Sequence, residues 1–177
     1  MAELLRAAYG RGYAVPSFCV WNSESIELTL RTAARLQSPV ILMSGPWEFG
    51  FTSLREMGAV ASSLAHLIPA RAALHLDHGD SIERVEACLR AGYSSVMLDY
   101  STHSFEENIA GLRWVVEMSR PLGVTVEGEL GLIGKVDDTT KKTTTNTRKT
   151  KRESYEKHNN RGEKGKGSYA YDHDRPL

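Results

Sequence analysis

A chain of 177 residues with 41% apolar content is long enough for one ordinary domain with a sizeable core. It has no apolar run near the roughly 18 residues of a membrane-spanning helix, no apolar h-region of a secretory signal, and only Cys19 and Cys88, which fit no metal-ligand spacing; a soluble chain in a reducing, cytoplasmic compartment is expected. Its 22 basic and 22 acidic side chains cancel unevenly, since residues 1–138 carry 11 against 17 and residues 139–177 carry 11 against 5.

Up to Asp138 short β-branched runs alternate with longer amphipathic segments, the pattern of repeated βα units around a parallel sheet. In chain order the pattern predicts strands over Ala14–Val20, Val40–Ser44, Ala72–Leu76, Ser94–Asp99 and Val124–Glu129. Between them it predicts helices over Ser23–Leu36, Ser53–Leu67, Ser81–Ala91 and Ser104–Leu122. Ser104 with Glu107 fits a capping box, and Asp80 with Glu83 is expected to cap the helix that carries Ile82, Val85 and Leu89. Gly92 and Gly123 fall where a left-handed residue turns each helix into the next strand. After Asp138 the sequence contains no Val, Ile, Met, Phe, Trp or Cys. Such a segment offers too little apolar surface to offset its ordering entropy, so residues 139–177 are expected to be a disordered basic tail, at most nascent helix over 151–157.

Alternate strand residues face opposite ways, and the helix-facing set should be apolar. Val124, Val126, Gly128 and Leu130 then face helices, leaving Thr125, Glu127 and Glu129 on the inner face. By the same rule Met97 and Asp99 face inward, as do His75 and Asp77. Three strands thus deliver ionisable groups to their C-terminal ends, where parallel α/β folds bind ligands. Converging carboxylates repel unless a cation or protons compensate them, and a divalent metal is the economical answer. The stretch "HLDHGD" sharpens this. Adjacent Asp77 and His78 cannot both point inward from a regular strand, so the strand is expected to end near Leu76. An imidazole suits zinc, and a neighbouring aspartate outside the ligand set suits proton transfer.

At these residues the chain resembles the class II, metal-dependent ketose-bisphosphate aldolases. The likeness runs through "GYAVPSFCVWN", "SPVILMS", "ALHLDHGDS", "AGYSSVMLDYSTHSFEENI" and "VTVEGELGLIGKVDD", in the family's order across residues 12–138. The resemblance implies an α/β fold of partial TIM-barrel type, about five strands of eight, with residues 1–138 as its N-terminal part. It also implies reversible cleavage of a ketose 1,6-bisphosphate to dihydroxyacetone phosphate and an aldehyde phosphate, with zinc as the Lewis acid. By the same resemblance Asp77 is the proton-transfer group, His78 a catalytic zinc ligand, Asp99 and Glu129 acids able to hold a second or displaced metal, and Asp137 the loop acid. The chain departs from the family's pattern at Cys19, where an asparagine is usual, at Lys135 in place of a loop glycine, and at Asp137, where glutamate is common. The family's two further zinc-binding histidines, which come from the second half of its barrel, have no counterpart. His158 and His173 match no family motif. An eight-stranded barrel needs about 250 residues, so the chain alone is expected to be inactive.

His75 is expected to pack or hydrogen-bond near the strand end rather than bind metal. Cys19 and Cys88 are expected to be small buried residues, and His103 a loop surface residue. A competing reading makes the chain a non-catalytic binding protein whose basic, tyrosine-containing tail contacts nucleic acid or an acidic partner; its interleaved acids and lack of a folded platform weigh against this. No membrane partner is expected. An open sheet edge would allow a homo-oligomer.

Overall fold

The structure, a computed structural model, describes residues 1–131 and 169–171. Its first element is one the sequence reading passed over, helix α1, Ala2–Arg11, which buries Leu4 and Ala8 and ends on left-handed Gly12. The amide of Ala2 donates to Thr125 Oγ1 at 2.9 Å, tying the start of the chain to the start of the last parallel strand.

The βα series then follows as β1 Ser17–Cys19, α2 Ser23–Leu36, β2 Val40–Ser44, α3 Leu54–Leu67, β3 Ala72–Gly79, α4 Ile82–Arg90, β4 Ser95–Leu98, α5 Phe105–Ser119 and β5 Thr125–Gly128. Asn22, Ser53 and Ser104 each close a reciprocal capping box, so the helices start where a short polar side chain can take an orphan amide. Helix α4 corrects the expectation for Asp80. Its cap is Ser81, which accepts from the Arg84 amide at 3.3 Å, while Asp80 reaches the Arg84 guanidinium at 2.6 Å. Gly92 and Gly123 have φ of 86° and 66°, as their turns require.

The five strands lie in chain order and are all parallel. Parallel crossovers are right-handed, so an order that never reverses stacks every helix on the same face. This is the singly wound arrangement of a barrel segment, whereas a doubly wound sheet reverses direction. One core lies between helices and sheet and contains Ile26, Leu30, Val40, Leu42, Leu74, Leu76, Val85, Val96, Leu98, Val115 and Val126. Ile41, Ala73 and Met97 are buried outside that cluster, as expected of the inner face. Beyond β5, Tyr169–Tyr171 forms β6, antiparallel to it. The rest of the expected tail and its nascent helix lie outside the described residues. Among the described residues no helix is long and apolar enough to cross a membrane.

Candidate metal centre

The side chains alternate between faces as expected, but β3 does not end near Leu76. The strand continues to Gly79, and its register against β4 shifts between Leu76 and Gly79, so that Asp77, His78 and Gly79 pass Met97 and Leu98. One extra residue is therefore inserted as a β-bulge. His78 takes up the distortion with φ of 48°, a left-handed conformation in which non-glycine residues are uncommon. This local kink, rather than strand termination, lets consecutive Asp77 and His78 serve one end of the sheet. Gly45, just after β2, is needed beside it, because a Cβ there would run into the carbonyl oxygen of Asp77.

His78 Nδ1 lies 2.8 Å from Asp99 Oδ2 and 3.6 Å from Glu129 Oε2. Ionised carboxylates only accept, so Nδ1 carries the hydrogen and donates to Asp99. Donor atoms of His78, Asp99 and Glu129 all lie within 4.8 Å of one another, bringing together side chains from β3 and from just past the ends of β4 and β5. Glu129 is buried, Asp99 largely so, and His78 half-exposed. Burial opposes charge on His78, but the hydrogen bond to Asp99 and the negative charges of Asp77, Asp99 and Glu129 outweigh it and raise the imidazole above its ordinary value. Burial likewise pushes Asp99 up, yet hydrogen bonds from Ser101 and His78 bring it below the usual carboxylate range.

Asp77 is partly buried beside this cluster. Burial, then the negative charges of Glu48 and Asp99, raise its carboxyl despite the opposing pull of His78. Cys19 also belongs to the rim and not to the core. It is exposed, contrary to expectation, because β1 is an edge strand, and its thiol is pushed up by partial burial and by the charges of Glu48 and Asp77. Cys88 is buried as expected, and His103 is exposed and stacked on Tyr100. Asp137 lies outside the described residues.

Several supporting side chains escaped the sequence reading. Buried Glu48 accepts from the Gly45 amide at 2.8 Å and so anchors the loop after β2. Ser101 donates its amide and hydroxyl to Asp99 Oδ1 at 3.1 and 2.6 Å, an arrangement that the Asp-x-Ser spacing could have suggested. Asn108, buried on α5, donates to the Glu129 carbonyl at 2.8 Å. A polar residue on the apolar stripe of a helix was its available signal.

One layer below, His75 is buried, with Nδ1 2.8 Å from Ser95 Oγ and Nε2 3.4 Å from Glu127 Oε2. Burial, then the positive charges of the chain's amino terminus and His78, push this imidazole down to about 4. The Glu127 contact is too long for a charge-assisted hydrogen bond, typically about 2.7–2.9 Å, and does not reverse that. The neutral ring shares a hydrogen bond with the Ser95 hydroxyl at Nδ1 and turns Nε2 toward the carboxylate. His75 and Glu127 therefore lie side by side beneath the cluster, outside its three donors.

A family profile described as fructose-bisphosphate aldolase class-II matches residues 1–160. The D-tagatose-1,6-bisphosphate aldolase subunit GatY of Klebsiella oxytoca is 38% identical over 136 residues, covering 77% of this chain and 48% of its own length. Among solved structures, the YdjI aldolase of Escherichia coli K12 superposes with a TM-score of 0.70 at 33% identity, over 76% of this chain and 52% of its own. A fructose-bisphosphate aldolase of Campylobacter jejuni gives 0.67 at 26%, over 77% and 46%. The chain thus spans about half the length of the relatives it matches. Sequential parallel strands that carry this cluster at their carboxyl ends agree with the profile, and the chain belongs to the class II fructose-bisphosphate aldolase family.

Proposed function

We propose that this chain carries the metal-binding and proton-transfer part of a zinc-dependent ketose-bisphosphate aldolase site, with residues 1–138 as the N-terminal part of its barrel. The observation that carries the reading is the convergence of His78, Asp99 and Glu129, one imidazole and two carboxylates, within 4.8 Å. That donor set fits zinc, whose catalytic sites combine nitrogen and oxygen ligands and keep a position open. When bound, the ion supplies Lewis-acid polarisation of substrate oxygens.

The chain's own groups do the rest. Asp99 holds the His78 ring through its Nδ1, and Ser101 holds Asp99. Asp77, raised by burial and by like charges, takes the proton from the C4 hydroxyl of the ketose as the C3–C4 bond breaks, and returns it in the condensation direction. Asp137 is the loop acid of this reading, and fructose and tagatose 1,6-bisphosphates are the substrates to try. The two free cysteines suit a reducing, cytoplasmic setting.

With five parallel strands among the described residues, the chain alone is expected to bind zinc but to turn over poorly. Calorimetric titration with zinc, repeated on His78→Ala, tests the metal reading; equal binding by both chains removes it. Zinc-dependent cleavage of both bisphosphates tests competence, and rapid turnover by the unaltered chain overturns the inactivity. Any activity found should fall on the order of 100 to 10,000-fold in Asp77→Ala, with zinc affinity kept.

A further inference from the structure

Helix α5 turns one stripe inward, made of Asn108, Gly111, Val115 and Ser119. Packing alone does not call for an amide there. Asn108 is only 3% exposed, its Nδ2 donates to the Glu129 carbonyl at 2.8 Å, and its Oδ1 has no hydrogen-bond partner among the described residues. A buried polar atom left unmet costs stability that an apolar side chain of similar size would not. What the amide delivers in return is a fixed Glu129. The register of β5 against β4 ends at Gly128, so Glu129 is the first residue beyond it. A hydrogen bond to its carbonyl fixes the peptide plane there, and with it the direction in which Cα–Cβ leaves the backbone.

The same face of α5 also meets the chain around Asp99. Gly111 lies one turn on from Asn108, and a Cβ there would stand 2.9 Å from Leu98 Cδ2 and 3.0 Å from the Tyr100 ring, the residues on either side of Asp99. One helix thus braces both stretches that bring carboxylates to His78. We infer that Asn108 is a positioning residue: from α5 it holds Glu129 at the cluster with His78 and Asp99, through the backbone carbonyl and without contributing a donor atom of its own. For its effect on metal binding the inference rests on the zinc reading; the positioning of Glu129 does not.

The test is a double-mutant cycle on the full chain, pairing Asn108→Leu with Glu129→Ala. Calorimetric titration with zinc reads the first arm. Asn108→Leu should weaken zinc binding about tenfold, the lower end of what outer partners of metal ligands contribute. Once Glu129 is alanine, the same change should cost less than about twofold. An equal loss in both backgrounds, or no loss in the first, overturns the inference, because a general loosening of the fold does not depend on Glu129. The second arm follows the histidine ring signals by NMR without zinc, at one fixed pH. Asn108→Leu should shift those of His78, whose Nδ1 lies 3.6 Å from Glu129 Oε2, and leave those of His75 in place. The His78 shift should vanish in the Glu129→Ala background. Unmoved His78 signals, or a shift that persists there, overturn the inference. Failure of the unaltered chain to bind zinc removes the metal reading alone, and wherever zinc is not bound the histidine signals decide the positioning. Urea unfolding reports that each variant is folded; if the bulkier leucine prevents folding, Asn108→Ala takes its place in both arms.

Discussion

His75 and His78 stand three residues apart on the same strand, yet the fold shifts their imidazoles in opposite directions. His75 sits in the dry layer, bonded to Ser95, and is pushed down to about 4, first by burial. His78 sits on the bulge at the mouth of the sheet, half-exposed and facing three carboxylates, and is raised. Lack of water favours the neutral form of one, and neighbouring carboxylates favour the charged form of the other. Residue type therefore says little about which histidine would meet a metal. Position along the strand decides it, because only the residue beyond the regular ladder escapes the layer that the sheet buries.

Zinc binding is the sharpest way to break this contrast. His78→Ala should abolish detectable binding, whereas His75→Gln, which leaves the three donors in place, should keep it; the reverse result in calorimetric titration would exchange the two roles. A bound imidazole must give up the competing proton, so affinity in the unaltered chain should weaken as pH falls through the raised value of His78. A titration series from neutral to mildly acidic pH measures it.

The next effect is on stability. The folded-state value of His75 lies below its ordinary 6.5, so the native state binds fewer protons than the unfolded chain and the fold weakens as pH falls from about 6.5 toward 4. The loss should reach about 3 kcal/mol below that window. Urea unfolding at several pH values should show it, and His75→Gln should flatten the profile there. His78 has the opposite sign: its raised value favours the fold at low pH and loses that contribution as pH rises through it.

Ser95→Ala removes the hydroxyl bonded to His75 Nδ1 and leaves a buried polar nitrogen unsatisfied, costing about 1–3 kcal/mol. The same unfolding measurement reads it. The smallest effect expected is that of His78→Gly. Glycine relieves the left-handed backbone but gains freedom in the unfolded chain, so the unfolding free energy should change by less than about 1 kcal/mol in either direction. A large loss would show that the His78 ring, and not its backbone, holds the bulge.

Much of this architecture could be read before any coordinates. The bounds expected for Ser23–Leu36 and Val40–Ser44 coincide with α2 and β2, because both segments carry a strong local period and clear punctuation. The inner-face assignment of His75, Asp77, Asp99, Glu127 and Glu129 follows from alternation against apolar partners, of which Leu74, Leu76, Val96, Leu98, Val124 and Val126 lie in the core, whereas Leu130, past the end of β5, is exposed. Helix α1 was not expected because it buries only Leu4 and Ala8 and its support comes from a distant contact at Thr125. Ser81 and Asp80 compete for the same cap within one residue, a choice settled when Arg84 recruits Asp80.

By itself the sequence determined the βα order, the faces of the strands and which acids reach the carboxyl ends, since these depend on periods of two and 3.6 residues that local chemistry imposes. Tertiary structure alone decided that β3 bulges instead of stopping, that Cys19 lies on an exposed edge, that Glu48 anchors the loop beside Asp77, and that β6 pairs with β5. Each of those depends on which strand lies alongside, and on how far its register slips, and neither quantity is encoded within any single segment of the chain.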